Sequence, residues 1–161
     1  LVLSSLHTDD AVSALQRFVD IGLEPFLLAD SVRFIMAQRL VRRVCPQCSR
    51  ESEPGAEDLA RAAGIARRGG LDWGLLEKKF RTPVGCPTCA MTGYSGRTII
   101  AETLEVTPEL AQALRQGGKA DELRRLAIEQ GMVTLAADGI RRYANGETTL
   151  QEVLRATKAH G

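Results

Sequence analysis

The sequence predicts an α/β chain in three parts: the end of a strand and helix layer, an arm built around four cysteines, and a helical tail. Three observations predict it. An apolar run, LVLSSL at residues 1–6, passes straight into a helical pattern. The chain's four cysteines form two matching Cys-Pro-X-Cys knuckles, Cys45 with Cys48 and Cys86 with Cys89. From residue 107 onward, short helical patterns alternate with glycine stops.

LVLSSL is short and β-capable, and it reads as a buried strand whose carboxyl end opens into His7, Thr8, Asp9 and Asp10. Asp9 or Asp10 can cap the helix that follows, in which Ala11, Ala14, Leu15, Phe18 and Val19 share a face until Gly22 ends it. In EPFLLADSVRFIMAQRLVRRVC, Pro25 suits the first turn of a short helix, and a strand then leads to Cys45. Between the knuckles EDLARAAGIA forms a helix, and Trp73, Leu75, Leu76 and Phe80 are expected to pack against the cysteine lobe. RTIIAETLEV returns as a strand able to pair with the one before Cys45, so that the lobe becomes an arm on a hairpin. Glu102 on that strand reads as a partner for a neighbouring base rather than a metal ligand. In the tail, Thr107 and Pro108 open the first of four short helices, and Thr149 with Glu152 forms a capping box for the last. The four are expected to make one small bundle.

The knuckles carry the clearest chemistry. A Cys-X-X-Cys turn aims two sulfurs at one point, and two such turns supply four thiolates, the closed ligand set of a structural zinc. A catalytic zinc needs an open position, and neither His7 nor His160 lies near the knuckles in sequence. Two disulfides are the alternative on count alone, but no secretory signal precedes them and 161 residues can bury a core without staples. A redox Cys-X-X-Cys normally stands alone beside a βαβ unit. The gap of residues 49–85 exceeds the usual zinc-ribbon spacing, which implies an insertion. Closure entropy rises only by about 0.6 kcal/mol per doubling of loop length, so the gap does not exclude the site.

Charge is balanced, with 21 Lys and Arg against 20 Asp and Glu, which argues against a dedicated nucleic-acid binder. No apolar run reaches transmembrane length, and the cytoplasm is the expected compartment. Leu1 stands inside an apolar run with no methionine before it, so the chain reads as a piece of a longer protein.

LVLSSLHTDDA, AQRLVRRVCPQC, GCPTCAMTGYSGRTIIAETL and GMVTLAADGIRRYANGETTLQEVLRAT, in that order, resemble the C-terminal part of the assembly ATPases of type II secretion and type IV pilus systems. The resemblance implies the end of a RecA-like core at residues 1–44, a zinc arm at 45–96, a returning strand at 97–106 and a helical subdomain at 107–161. It also implies a hexameric motor that uses ATP and Mg to drive fibre assembly, cytoplasmic and peripheral at the inner membrane through platform proteins. His7, in SSLHT, matches the family's histidine box and would act near the nucleotide γ-phosphate. There is no GxxxxGK[ST] loop and no acidic Walker B strand, so these residues alone are expected not to hydrolyse ATP. Arg39, Arg42, Arg43 and Arg97 flank the arm and read as a solvated or interface face. Two competing readings are an independent zinc module for nucleic acid, with QRLVRRVC as its basic patch, and a chaperone-type zinc domain, whose repeat would have to recur.

Overall fold

The structure, a computed structural model, describes residues 1–157. His160 lies outside them. The chain divides into two compact units, each assembled from two separate stretches. Residues 1–37 and 102–133 form the first, and residues 38–101 and 134 onward form the second. Two long strands, β1 (Phe34–Val44) and β4 (Tyr94–Glu105), pair with each other and contribute a segment to each unit. Backbone bonds from Cys45 N–H to Gly93 O (2.8 Å) and from Val106 N–H to Arg33 O (3.0 Å) bracket the ladder and make it antiparallel. The expected hairpin is therefore present.

In the first unit, α1 (Ala11–Asp20) begins where the Asp10 carboxylate accepts the Ser13 amide at 2.7 Å. It ends at Gly22, whose φ of +94° lets Leu23 N–H reach back to Phe18 O. Pro25 opens α2 (Pro25–Ser31), and Thr107 caps α4 (Pro108–Arg115) by accepting the Leu110 amide. With α5 (Ala120–Glu129) these helices bury Val12, Leu15, Leu28, Leu104, Leu110 and Leu123 in one core. Arg124 reaches from α5 to Asp10 at 2.7 Å, which ties the last helix of the unit to the cap of the first.

The second unit holds α3 (Ala56–Arg68), a short antiparallel pair β2 (Arg50–Glu51) and β3 (Arg81–Thr82), α6 (Leu135–Ala144) and α7 (Leu150–Thr157). Alanines 62 and 66 let α3 approach α6 closely. Phe80 packs against Tyr143 with ring centroids 4.8 Å apart, over Ile140, Leu150 and Val153. Gly139 permits the α6 and α7 contact, because a Cβ there would fall 2.6 Å from Val153 Cγ1.

Four sequence expectations need correction. LVLSSL joins neither ladder among the described residues, and residues 1–7 are exposed. A strand without a neighbour leaves its backbone groups unpaired and is not stable alone. The tail does not form one bundle, since α4 and α5 pack with α1 and α2 while α6 and α7 pack with α3. Amphipathic periodicity marks a buried face but does not say which core it enters. Phe80 and Trp73 join that helical core rather than a separate cysteine lobe, and Leu75 is 83% exposed. The capping box forms by half: Thr149 Oγ1 accepts the Glu152 amide, but the Glu152 carboxylate turns to Arg42 and Arg155 instead. Two cations outbid one backbone amide for a buried carboxylate.

Candidate metal centre

Cys45 follows the last residue of β1 and is fully buried, held by the hydrogen bond its N–H donates to Gly93 O. Ser49 N–H then donates to Cys45 O (2.9 Å), closing the first knuckle. The second knuckle is a tight turn over Pro87–Cys89 in which Ala90 and Met91 both take left-handed φ values and Met91 N–H returns to Cys86 O. Arg81 pins the loop after the first knuckle by donating to Ser49 Oγ (2.9 Å) and Ser49 O (2.8 Å). Gly93 has φ +76°, and a Cβ there would lie 2.5 Å from Pro83 Cβ, so only glycine fits between the knuckle and the preceding loop.

These turns bring all four sulfurs within 4.8 Å of one another. Cys45 to Cys86 is 4.0 Å, Cys48 to Cys89 is 3.8 Å and Cys86 to Cys89 is 3.7 Å. Four sulfurs about 2.3 Å from a tetrahedral zinc stand about 3.8 Å apart, so the donor set and its spacing fit zinc. The spacing does not fit disulfides, whose sulfurs approach to about 2.05 Å, and all four cysteines are free.

Backbone amides face two of the sulfurs, and at Cys89 they favour the thiolate. Gly85 N–H donates to Cys48 Sγ, and Cys86 and Gly93 N–H groups both donate to Cys89 Sγ, each at 3.2 Å. Burial pushes the Cys89 thiol up, but the Cys86 and Gly93 amides and the neighbouring sulfurs outweigh it and hold it at about 6. The Cys48 thiol is raised, first by burial, against the pull of the Gly85 and Val84 amides. The glycine amides are site features that the cysteine spacing does not reveal, although Gly93 directly after the knuckle is a usable signal.

His7 is exposed, belongs to the first unit, and is not among the residues gathered here. Glu102 is buried, accepts the Ala11 amide at 2.8 Å, and lies outside the cysteine cluster. Among the arginines, Arg42 pairs with Glu152 at 2.6 Å and lies over the Tyr94 ring at 4.2 Å, while Arg43 and Arg97 are exposed.

The described helices include none long and apolar enough to cross a membrane. Among known proteins, the chain is 43% identical over 158 residues to the type II secretion system protein HxcR of Pseudomonas aeruginosa, covering 98% of this chain and 28% of that protein. It is 40% identical to a putative type II secretion system protein E of Escherichia coli, covering 99% of this chain and 30% of the other. It is 39% identical to the type IV pilus assembly ATPase PilB of Thermus thermophilus, covering 98% of this chain and 17% of that protein. The chain thus spans less than a third of the length of these relatives. Since the family described as type II/IV secretion system protein matches residues 1–155, nearly end to end and across both knuckles, the chain belongs to that family.

Proposed function

We propose that this chain is the C-terminal region of a cytoplasmic ATPase that powers type II protein secretion or type IV pilus assembly. The observation that carries the reading is the match across 98% of the chain to relatives of both kinds, with the four-sulfur cluster inside it. In this reading residues 1–44 close a RecA-like core, and residues 45–96 carry the zinc arm on the β1 and β4 hairpin. Residues 97–106 return to the core and residues 107–161 supply helices.

Cys45, Cys48, Cys86 and Cys89 would hold the zinc. Bound there, zinc supplies cross-linking of two knuckles rather than bond-breaking chemistry, because all four positions are filled by thiolates. The protein's own residues do the rest. Gly85, Cys86 and Gly93 amides stabilise negative sulfur, and Arg81 fixes the first knuckle's exit. ATP and Mg would be held by parts of the full-length protein that contain a phosphate loop, with His7 near the γ-phosphate. Assembly into a homo-hexamer, attached to the inner membrane through platform proteins, completes the motor.

The test is ATP turnover by the full-length protein that carries this chain, beside the 161 residues alone. The expected result is a hexamer that hydrolyses ATP and no turnover by the shorter chain. A monomeric full-length protein without turnover overturns it.

A further inference from the structure

We infer that the second unit contains a binding site for a phosphate-bearing anion, separate from the cysteine cluster. The site is a pocket of about 450 Å³ lined by Leu40, Arg42, Arg97 and Arg155. Three arginines line it, and two of them, Arg42 and Arg155, share the Glu152 carboxylate. That carboxylate is already committed: Oε1 accepts Arg42 (2.6 Å) and Arg155 Nε (3.1 Å), and Oε2 accepts Arg155 (2.7 Å) and the Arg42 amide (3.2 Å). Three positive charges meet one negative charge, and the excess faces the pocket.

The arginines are also prepared for a ligand. Arg42 is fixed between Glu152 and the Tyr94 ring, and Tyr94 is itself tied by its hydroxyl to Thr149 Oγ1 at 3.0 Å. Arg155 is held by a two-point fork on Glu152. A guanidinium has five N–H donors, so both keep donors free on the solvent side. Arg97 makes no ion pair among the described residues and is exposed, so its whole fork is available. The planar Glu152 carboxylate is satisfied by one fork, one further guanidinium bond and a backbone amide. The free fork of Arg97 with the remaining donors of Arg42 and Arg155 around one pocket suits the several oxygens of a phosphate, and the volume accommodates more than one phosphate group. This inference does not rest on the motor reading.

Pyrophosphate, titrated into the zinc-loaded chain by calorimetry with Arg Nε–H signals followed by NMR, is the probe. The expected result is binding that shifts the Arg42, Arg97 and Arg155 signals and weakens as salt rises. Arg97→Gln should weaken it by about tenfold or more, the loss of one charge-assisted fork. Arg43→Gln, exposed on β1 outside the pocket, should leave it unchanged. Because Arg97 has no ion pair to break, a lost signal cannot be ascribed to misfolding, and a thermal melt of the variant verifies this. Vesicles containing phosphatidylglycerol form a second arm: Arg97-dependent binding to vesicles but not to pyrophosphate assigns a lipid headgroup, and the converse assigns a free polyphosphate. Binding of neither, or binding indifferent to Arg97, overturns the inference.

Discussion

Glu152→Gln is the most informative single change to the fold. The wild-type carboxylate is buried, with side-chain exposure of 3%, and it accepts four hydrogen bonds from Arg42 and Arg155. One comes from the backbone of β1, so Glu152 both seals a strand amide and anchors α7 to that strand. Removing one partner of a fully buried pair costs about 3–5 kcal/mol. Here the arginines are 47% and 63% exposed and can rehydrate, which reduces the loss to about 2–3 kcal/mol. At about 2–4 °C per kcal/mol for a chain of this size, Tm should fall by about 4–12 °C. Glu129→Gln, on an exposed turn of α5, should leave Tm unchanged. The pH dependence sharpens the test. Burial alone would raise the Glu152 carboxyl, but the hydrogen bonds from Arg42 and Arg155 hold it at about 2, below the ordinary 4.5. Its contribution is therefore complete above about pH 4.5 and is lost as pH falls toward 2. Melts followed by circular dichroism should show wild type and Glu152→Gln well separated at pH 7 and converging toward pH 2. Equal Tm values at pH 7, or a gap that persists at pH 2, would mean that the ionised Glu152 does not anchor α7 to β1.

Other substitutions probe separate links. Phe80→Ala should cost about 3–5 kcal/mol in denaturant unfolding, because it removes the ring packed between Trp73 and Tyr143, while the zinc content stays at one per chain. Gly139→Ala should cost about 1–3 kcal/mol, since its Cβ would stand 2.6 Å from Val153 Cγ1 and one helix must move. Cys48→Ser should abolish stoichiometric metal binding yet leave the amide exchange protection of α1, α4 and α5 unchanged, because their core is built without the cysteines. In the full-length protein, His7→Ala should lower ATP turnover more than ATP affinity or Tm, and unchanged turnover would make His7 a surface loop residue.

Much of the site was legible because metal ligands are encoded locally. The spacing of Cys45 with Cys48 and of Cys86 with Cys89 is itself the geometry of a knuckle, and the pairing of the two knuckles followed from the absence of other thiols. Helix ends were legible for the same reason: Asp10, Gly22, Pro25 and Thr107 act on atoms within a few residues of themselves. What the pattern did not encode was which surfaces meet. The helices after residue 107 divide between two cores, and α6 joins an α3 that lies far earlier in the chain. Glu152 shows the limit most clearly, for its position three residues after Thr149 satisfies a capping motif while its strongest partner, Arg42, stands 110 residues away. LVLSSL carries the composition of a strand, but a strand is defined by a neighbour, and the described chain supplies none.

The reading of Cys45, Cys48, Cys86 and Cys89 as one closed structural metal site in this member of the type II/IV secretion system family is open to direct measurement. Native mass spectrometry of chain purified under reducing conditions, with sulfur coordination read by X-ray absorption at the zinc edge, tests it directly. The predicted result is one zinc per chain with four sulfur ligands at about 2.3 Å. A metal-free folded chain, a pair of disulfides, or a zinc carrying nitrogen or water ligands would contradict it.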